Sequence, residues 1–221
     1  MSFTEQVSTA LVVIATRGLP VTLLISTLSF LLGLCLGSLL AFLQILGGNI
    51  AERISGLIVT ILRGIPPVLL LFIIFYGFPA LGLRLDRNSA AILGLGLISS
   101  AYQSQVLRSS AQSISARQLE AALSIGLSKW GAFAWVIFPQ AIRLSVPGLI
   151  NEFTIIFKDT SIAYSIGVVE MFTQATQIAQ ARFEYTAPLT AVALLYLAIC
   201  FSISQLINVL YKKLRELGYG Y

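Results

Sequence analysis

Glu152 and Asp159 stand seven positions apart in a segment otherwise rich in Ile, Leu, Phe and Val. On a continuous helix this spacing turns both carboxylates to nearly the same face, where they could hold the positive group of a solute, an ammonium or a guanidinium. Asn151 beside them offers a supporting hydrogen bond. Lys158 permits a different use of the acids: it could neutralise Asp159 in a structural or gating ion pair, or snorkel to an interface. Both readings stay open, and the cost of an ionisable group inside a membrane makes Glu152 a functional candidate by default.

A second constellation is the short patterned segment EAALSIGLSKWGAFAWVIFP, Glu120 to Pro139. Leu119, Leu123, Leu127 and Trp130 recur at helical spacing and give one apolar face, whereas Glu120, Ser124 and Lys129 occupy other positions. Gly126 interrupts the side-chain surface and permits a sharp turn or a close backbone contact. A helix resting on lipid carries the same pattern as one docked on a partner outside the bilayer. The third cluster, LRGIPP, joins Arg63 to Pro66 and Pro67. These prolines would free backbone carbonyls and set a bend, either static or used for gating.

Other chemistries are closed by composition. The chain has no His and two Cys, so neither a zinc site of nitrogen and sulfur ligands nor a His-based nucleophile pair is expected. Cys35 and Cys200 fall in apolar runs, where small-residue packing is their expected role. There is no GxxxxGK[ST] phosphate loop, so the chain is expected to bind no cofactor and to hydrolyse no ATP by itself. Its net charge of +5 is explained by basic membrane flanks and calls for no nucleic-acid partner.

What must position these residues is a membrane bundle. Hydrophobic residues make up 57% of the chain and charged residues 10%, against roughly 25% charged in soluble domains. Mean hydropathy is +0.90. No charge occurs between Arg17 and Glu52, and the runs after Arg63, Arg87 and Glu184 are also uncharged, each about long enough for a helix to cross some 30 Å of hydrocarbon. Continuous apolar runs argue against a barrel. The expected fold is all-α, a polytopic transmembrane helical bundle with five spans near Val21 to Leu43, Ser55 to Gly77, Ser89 to Leu107, Ala141 to Phe157 and Pro188 to Leu210. Residues 160–173 hold too little apolar sequence beside Glu170 for a sixth crossing and read as a re-entrant or short surface helix.

Residues 1–17 do not read as a cleaved signal peptide. Val7, Leu11 and Ile14 share one side of a helix, so this stretch is expected to be an interfacial or flexible segment ahead of a membrane domain at 18–211, with a tail at 212–221. Gly33 with Gly37, and Ala90 with Gly94, are small-xxx-small pairs that let another backbone approach. With the first span starting outside, Arg108, Arg117, Lys129, Lys212, Lys213 and Arg215 all fall inside, which sets the N-terminus outside and the C-terminus in the cytoplasm. Arg84 and Arg87 count against this orientation, tempered by Asp86 between them.

The run EAALSIGLSKWGAFAWVIFPQA resembles the EAA loop of ATP-binding-cassette import permeases: Glu120, Ala121 and Ala122, then Gly126, then Val136, Phe138 and Pro139. LRGIPP at Leu62 to Pro67, SAYQSQVLRSSAQSI at Ser100 to Ile114, and NEFTIIFKDTSI at Asn151 to Ile162 resemble the polar amino-acid uptake branch. The middle block departs from that branch's GAYxxExxRGGIxSI at Ser100, Gln105, Ser109 and Ser110.

The resemblance implies a multi-pass permease subunit in a prokaryotic inner membrane, serving an ATP-driven importer of polar, and specifically basic, amino acids. Segment 117–139 would hold a cytoplasmic coupling helix between the third and fourth spans, seated in a groove of an ATPase subunit. Glu120 would supply a charged contact or a cap, and Ala121, Ala122 and Gly126 a close fit. The implied partners are a cytoplasmic ATPase dimer carrying ATP and magnesium, a second identical or homologous permease subunit, an extracytoplasmic substrate-binding protein, lipid and the amino acid. Asn151, Glu152 and Asp159 become the substrate-binding candidates, and Arg63, Pro66, Pro67 and Lys158 the gating or structural ones. Neutral or acidic amino acids such as glutamine or glutamate are the alternative within the class. A secondary amino-acid transporter or channel is the alternative outside it, with no inverted repeat or filter motif in its favour.

Overall fold

The computed structural model describes residues 2–216. The helices run in the order α1 Phe3–Leu46, α2 Gly48–Gly64, α3 Pro67–Leu81, α4 Arg87–Gln112, α5 Ala116–Ser124, α6 Lys129–Ile166, α7 Met171–Arg182 and α8 Thr186–Glu216. α1, α4, α6 and α8 are each long and apolar enough to cross a membrane, and the bent pair α2–α3 counts as a fifth crossing where its two halves are taken as one broken span. The apolar outer face this requires is present: on α2, Ile50, Ile54, Leu57 and Ile61 are all exposed. Of the tail at 212–221, residues 217–221 lie outside the described residues.

Three elements differ from the sequence expectation. The first span is the C-terminal part of a 44-residue helix, which a capping box between Ser2 and Glu5 starts. Its N-terminal part packs into the bundle, with Ala10 and Ile14 buried together with Phe157, Met171, Ala175, Ala191 and Val192. The second span, expected near Ser55 to Gly77 with a bend set by Pro66 and Pro67, is two helices: the chain turns by 100° between α2 and α3. Pro66 forces Ile65 into an extended conformation, and Pro67 has no N–H to continue the ladder, so α2 ends and α3 starts afresh. The fourth span runs on beyond Phe157, and residues Thr160–Ile166 are its tightened 3-10 end.

α1 and α4 form the most extensive helix pair. In lipid no hydrophobic force draws apolar helices together, so close backbone approach and polar contacts decide such an interface. Gly33 and Gly37 provide the approach. A Cβ on Gly37 would lie 2.7 Å from the Ser100 carbonyl oxygen, and one on Gly33 2.7 Å from Gln103 Nε2. Ser26, Ser29, Ser99, Ser100, Gln103 and Ser104 are buried at or near this seam. Ala90 and Gly94 likewise receive α3, with Leu71 Cδ2 only 2.6 Å from a Cβ on Gly94.

Gly37→Leu is therefore expected to destabilise the bundle by about 3 kcal/mol or more, since a backbone carbonyl cannot yield as a flexible side chain does. Gly56→Leu, at a position with open space, is the control and is expected to be silent. Thermal unfolding of the purified permease in detergent distinguishes the two.

The ends of α4 are tied down by charge. Asp86 caps its start, accepting from the backbone N–H groups of Asn88 at 2.9 Å and Ser89 at 3.1 Å and from the Ser89 hydroxyl. The hydroxyl bond is the main reason its carboxyl is held below the usual range. At the other end Arg108 donates to Gln44 Oε1 at 3.1 Å and to Glu52 Oε1 at 3.0 Å. This joins the α1–α2 corner to the end of α4.

Candidate functional site

The bend between α2 and α3 opens a cavity of about 220 Å³ against α4 and α6. α2 and the bend contribute Leu62, Arg63, Ile65 and Pro67, α4 contributes Ile98 and Tyr102, and α6 contributes Glu152, Ile155 and Asp159. The i, i+7 spacing does set both acids on one face of α6, because the helix is continuous from Phe138 to Asp159 despite Pro147. Glu152 is 5% exposed and accepts a hydrogen bond from the Ser99 hydroxyl at 3.1 Å. Asp159 is half-buried. On the same lining the Arg63 guanidinium stands over the Tyr102 ring, 5.1 Å from its centroid, a cation–π arrangement, and Arg63 makes no salt bridge among the described residues. The lining thus carries two carboxyl groups, a guanidinium and an apolar wall.

Other expected residues fall elsewhere. Asn151 is exposed and does not line the cavity. Pro66 makes the bend, but only Pro67 reaches the lining. Lys158 is exposed and makes no ion pair with Asp159 among the described residues. Tyr102 and Ser99 were not singled out by the sequence. Their one available signal was helical: they lie three residues apart on α4, so one face carries both.

The EAA segment forms α5, a Schellman turn and the start of α6. Ser115 caps α5, its hydroxyl accepting from Arg117 N–H at 3.3 Å. Glu120 lies in the middle of the helix and is exposed, so it is not the cap. Ala121 is exposed and Ala122 buried. At the C-terminal end Gly126 N–H donates to Leu123 O at 3.0 Å and Leu127 N–H to Ala122 O at 3.2 Å, the two bonds of a Schellman closure. Gly126 has φ +88°, and a Cβ there would meet nothing within 4 Å. The glycine serves a turn, not a close contact within this chain. Trp130 beyond it packs against Phe42 of α1, the rings tilted and their centroids 5.4 Å apart.

A multi-span bundle with an amphipathic helix outside it and a small cavity carrying ionisable groups within it is the architecture of an integral membrane protein. The family model for the inner membrane component of binding-protein-dependent transport systems matches residues 33–216, and the chain belongs to that family. Within it the chain is a permease subunit of the amino-acid ABC importers. It is 35% identical over 194 residues to the probable amino-acid permease protein YxeN of Bacillus subtilis (strain 168), covering 86% of this chain and 87% of that one. It is 34% identical over 203 residues to the glutamine transport system permease protein GlnP of Escherichia coli (strain K12), covering 91% and 93%. A crystal structure of an amino acid ABC transporter with histidines superposes with a TM-score of 0.87 at 26% identity, covering 96% of this chain and 99% of that one.

Proposed function

We propose that this permease forms the membrane pathway of an ATP-driven importer of polar amino acids and favours basic ones. It works beside a second identical or homologous permease subunit, receives solute from an extracytoplasmic binding protein, and is driven through α5 by a cytoplasmic ATPase dimer that holds the ATP and magnesium. The N-terminus lies outside and the C-terminus in the cytoplasm.

The observation that carries the substrate reading is the cavity whose lining holds two carboxyl groups and one guanidinium. Arg63 takes the α-carboxylate of the solute and one acid takes its α-ammonium. The remaining acid is then available for a side-chain cation. A neutral solute such as glutamine leaves that acid without a partner. The name of the GlnP relative favours this second reading.

Glu152→Gln tests the choice, because it preserves size and removes charge. The half-saturating arginine concentration for ATPase stimulation in the purified native complex is expected to rise by about tenfold or more, the scale of one lost charge-assisted contact. The value for glutamine should move less. Unchanged arginine dependence in the intact complex would take Glu152 out of the binding site.

A further inference from the structure

We infer that Gln103 and Ser99 are positioning residues for Glu152, a directed hydrogen-bond chain that sets how strongly the cavity holds a positive group. This rests on the reading of Glu152 as a substrate-binding acid.

The chain starts on a backbone carbonyl of α1. Gln103 on α4 is fully buried and does not line the cavity. Its Nε2 lies 3.1 Å from Phe30 O and 2.8 Å from Ser99 Oγ. A carbonyl can only accept, so Phe30 decides which end of the amide faces it, and that end must be the nitrogen. The same nitrogen then donates into a lone pair of the Ser99 hydroxyl. Its proton is left for Glu152 Oε1, 3.1 Å away on α6. Oε2 of Glu152 takes no hydrogen bond among the described residues, so the carboxylate is anchored by one oxygen and open at the other.

Two further observations indicate that this chain is not simply packing. Gln103 Oε1 is buried with no hydrogen-bond partner among the described residues. An apolar side chain of the same size would not carry that penalty, so a residue serving only stability would be poorly chosen here. Gly33 leaves the room the chain occupies: a Cβ there would fall 2.7 Å from Gln103 Nε2 and 2.9 Å from Ser99 Oγ. The small residue on α1 thus admits a polar contact that ends at the cavity.

The test is a double-mutant cycle in the purified native complex, with arginine as the probe and ATPase stimulation as the readout. Ser99→Ala and Gln103→Met are each expected to raise the half-saturating arginine concentration roughly five- to tenfold. The maximal rate and the unfolding temperature should stay near wild type. In a Glu152→Gln background Ser99→Ala should add nothing, because its effect passes through the carboxylate. A Ser99→Ala effect undiminished in that background overturns the proposal, as does wild-type behaviour of both Ser99→Ala and Gln103→Met when Glu152→Gln is impaired. If Glu152→Gln itself binds arginine normally, the substrate reading of Glu152 fails, and this inference with it.

Discussion

Glu170→Ala is expected to leave little stably folded permease, lowering its unfolding temperature in detergent by about 10 °C or more. Glu170 is fully buried and caps α7. Its carboxylate accepts from Phe172 N–H at 2.8 Å, Thr173 N–H at 2.7 Å, the Thr173 hydroxyl at 2.9 Å and the Tyr196 hydroxyl at 3.1 Å. Removing it strands two backbone donors at a buried helix start and takes away the acceptor that ties α8 to α7. Each stranded buried donor costs about 1–3 kcal/mol, so the loss is on the order of 5 kcal/mol even though such terms do not strictly add. Glu170→Gln keeps one acceptor oxygen and turns an amide donor towards its neighbours. Tyr196 can reverse its hydroxyl to accept from that amide, so an intermediate loss is expected. Thermal unfolding followed by size-exclusion chromatography measures the series, and an Ala variant within about 2 °C of wild type would show that the donors find other partners.

The same residue shows where the sequence was legible and where it was not. Local periodicity reports what one helix does by itself. Hydropathy marked the membrane runs, the i, i+7 rule placed Glu152 and Asp159 on one face, and Gly33 and Gly37 identified a backbone-close seam. Glu170 was visible only as a polar interruption that argued against a crossing. Its role depends on Tyr196, brought in by a later helix, and no local period encodes that approach. The cavity repeats the lesson. Arg63 read as a gating or structural candidate beside two prolines, and Tyr102 as part of a signature block, yet the bend at Ile65 and Pro66 brings both to one lining with the acids.

Pro66 and Pro67 were expected to set a bend, but not one of 100° that cuts the helix in two, and for a definite reason. Averaged hydropathy runs smoothly across Ser55 to Gly77, and proline is tolerated in membrane helices when neighbours satisfy the freed carbonyls. Two adjacent prolines are a stronger instruction. The first confines the preceding residue to extended backbone and the second cannot donate, so the ladder is cut at one point. The outcome is a cavity wall built from a helix end, Leu62 to Ile65, and a helix start at Pro67.

Gly126→Val is expected to reduce amino-acid-stimulated ATPase activity about tenfold or more while the bundle stays inserted and folded. The position has φ +88° and open space where a Cβ would stand, so steric overlap is not the obstacle. Backbone strain is: a β-branched residue in the left-handed region costs on the order of 1–3 kcal/mol. That is comparable to what the two Schellman bonds contribute, so the turn relaxes by opening. Opening it frees the angle between α5 and the segment carrying Trp130, whose ring is fixed on Phe42 of α1. The rest of the bundle has no contact with the missing Cβ, so its unfolding temperature should fall by only a few degrees. If α5 transmits ATPase closure to the spans, a loose turn absorbs the motion instead of passing it on, and hydrolysis no longer responds to solute. Gly126→Asn separates this account from a simple need for a small residue. Asn tolerates the left-handed conformation far better than Val despite its larger side chain, and it is expected to keep most of the stimulation. Equal loss in both variants would point to a partner surface that requires the bare glycine, and full stimulation in the Val variant would remove α5 from the coupling path.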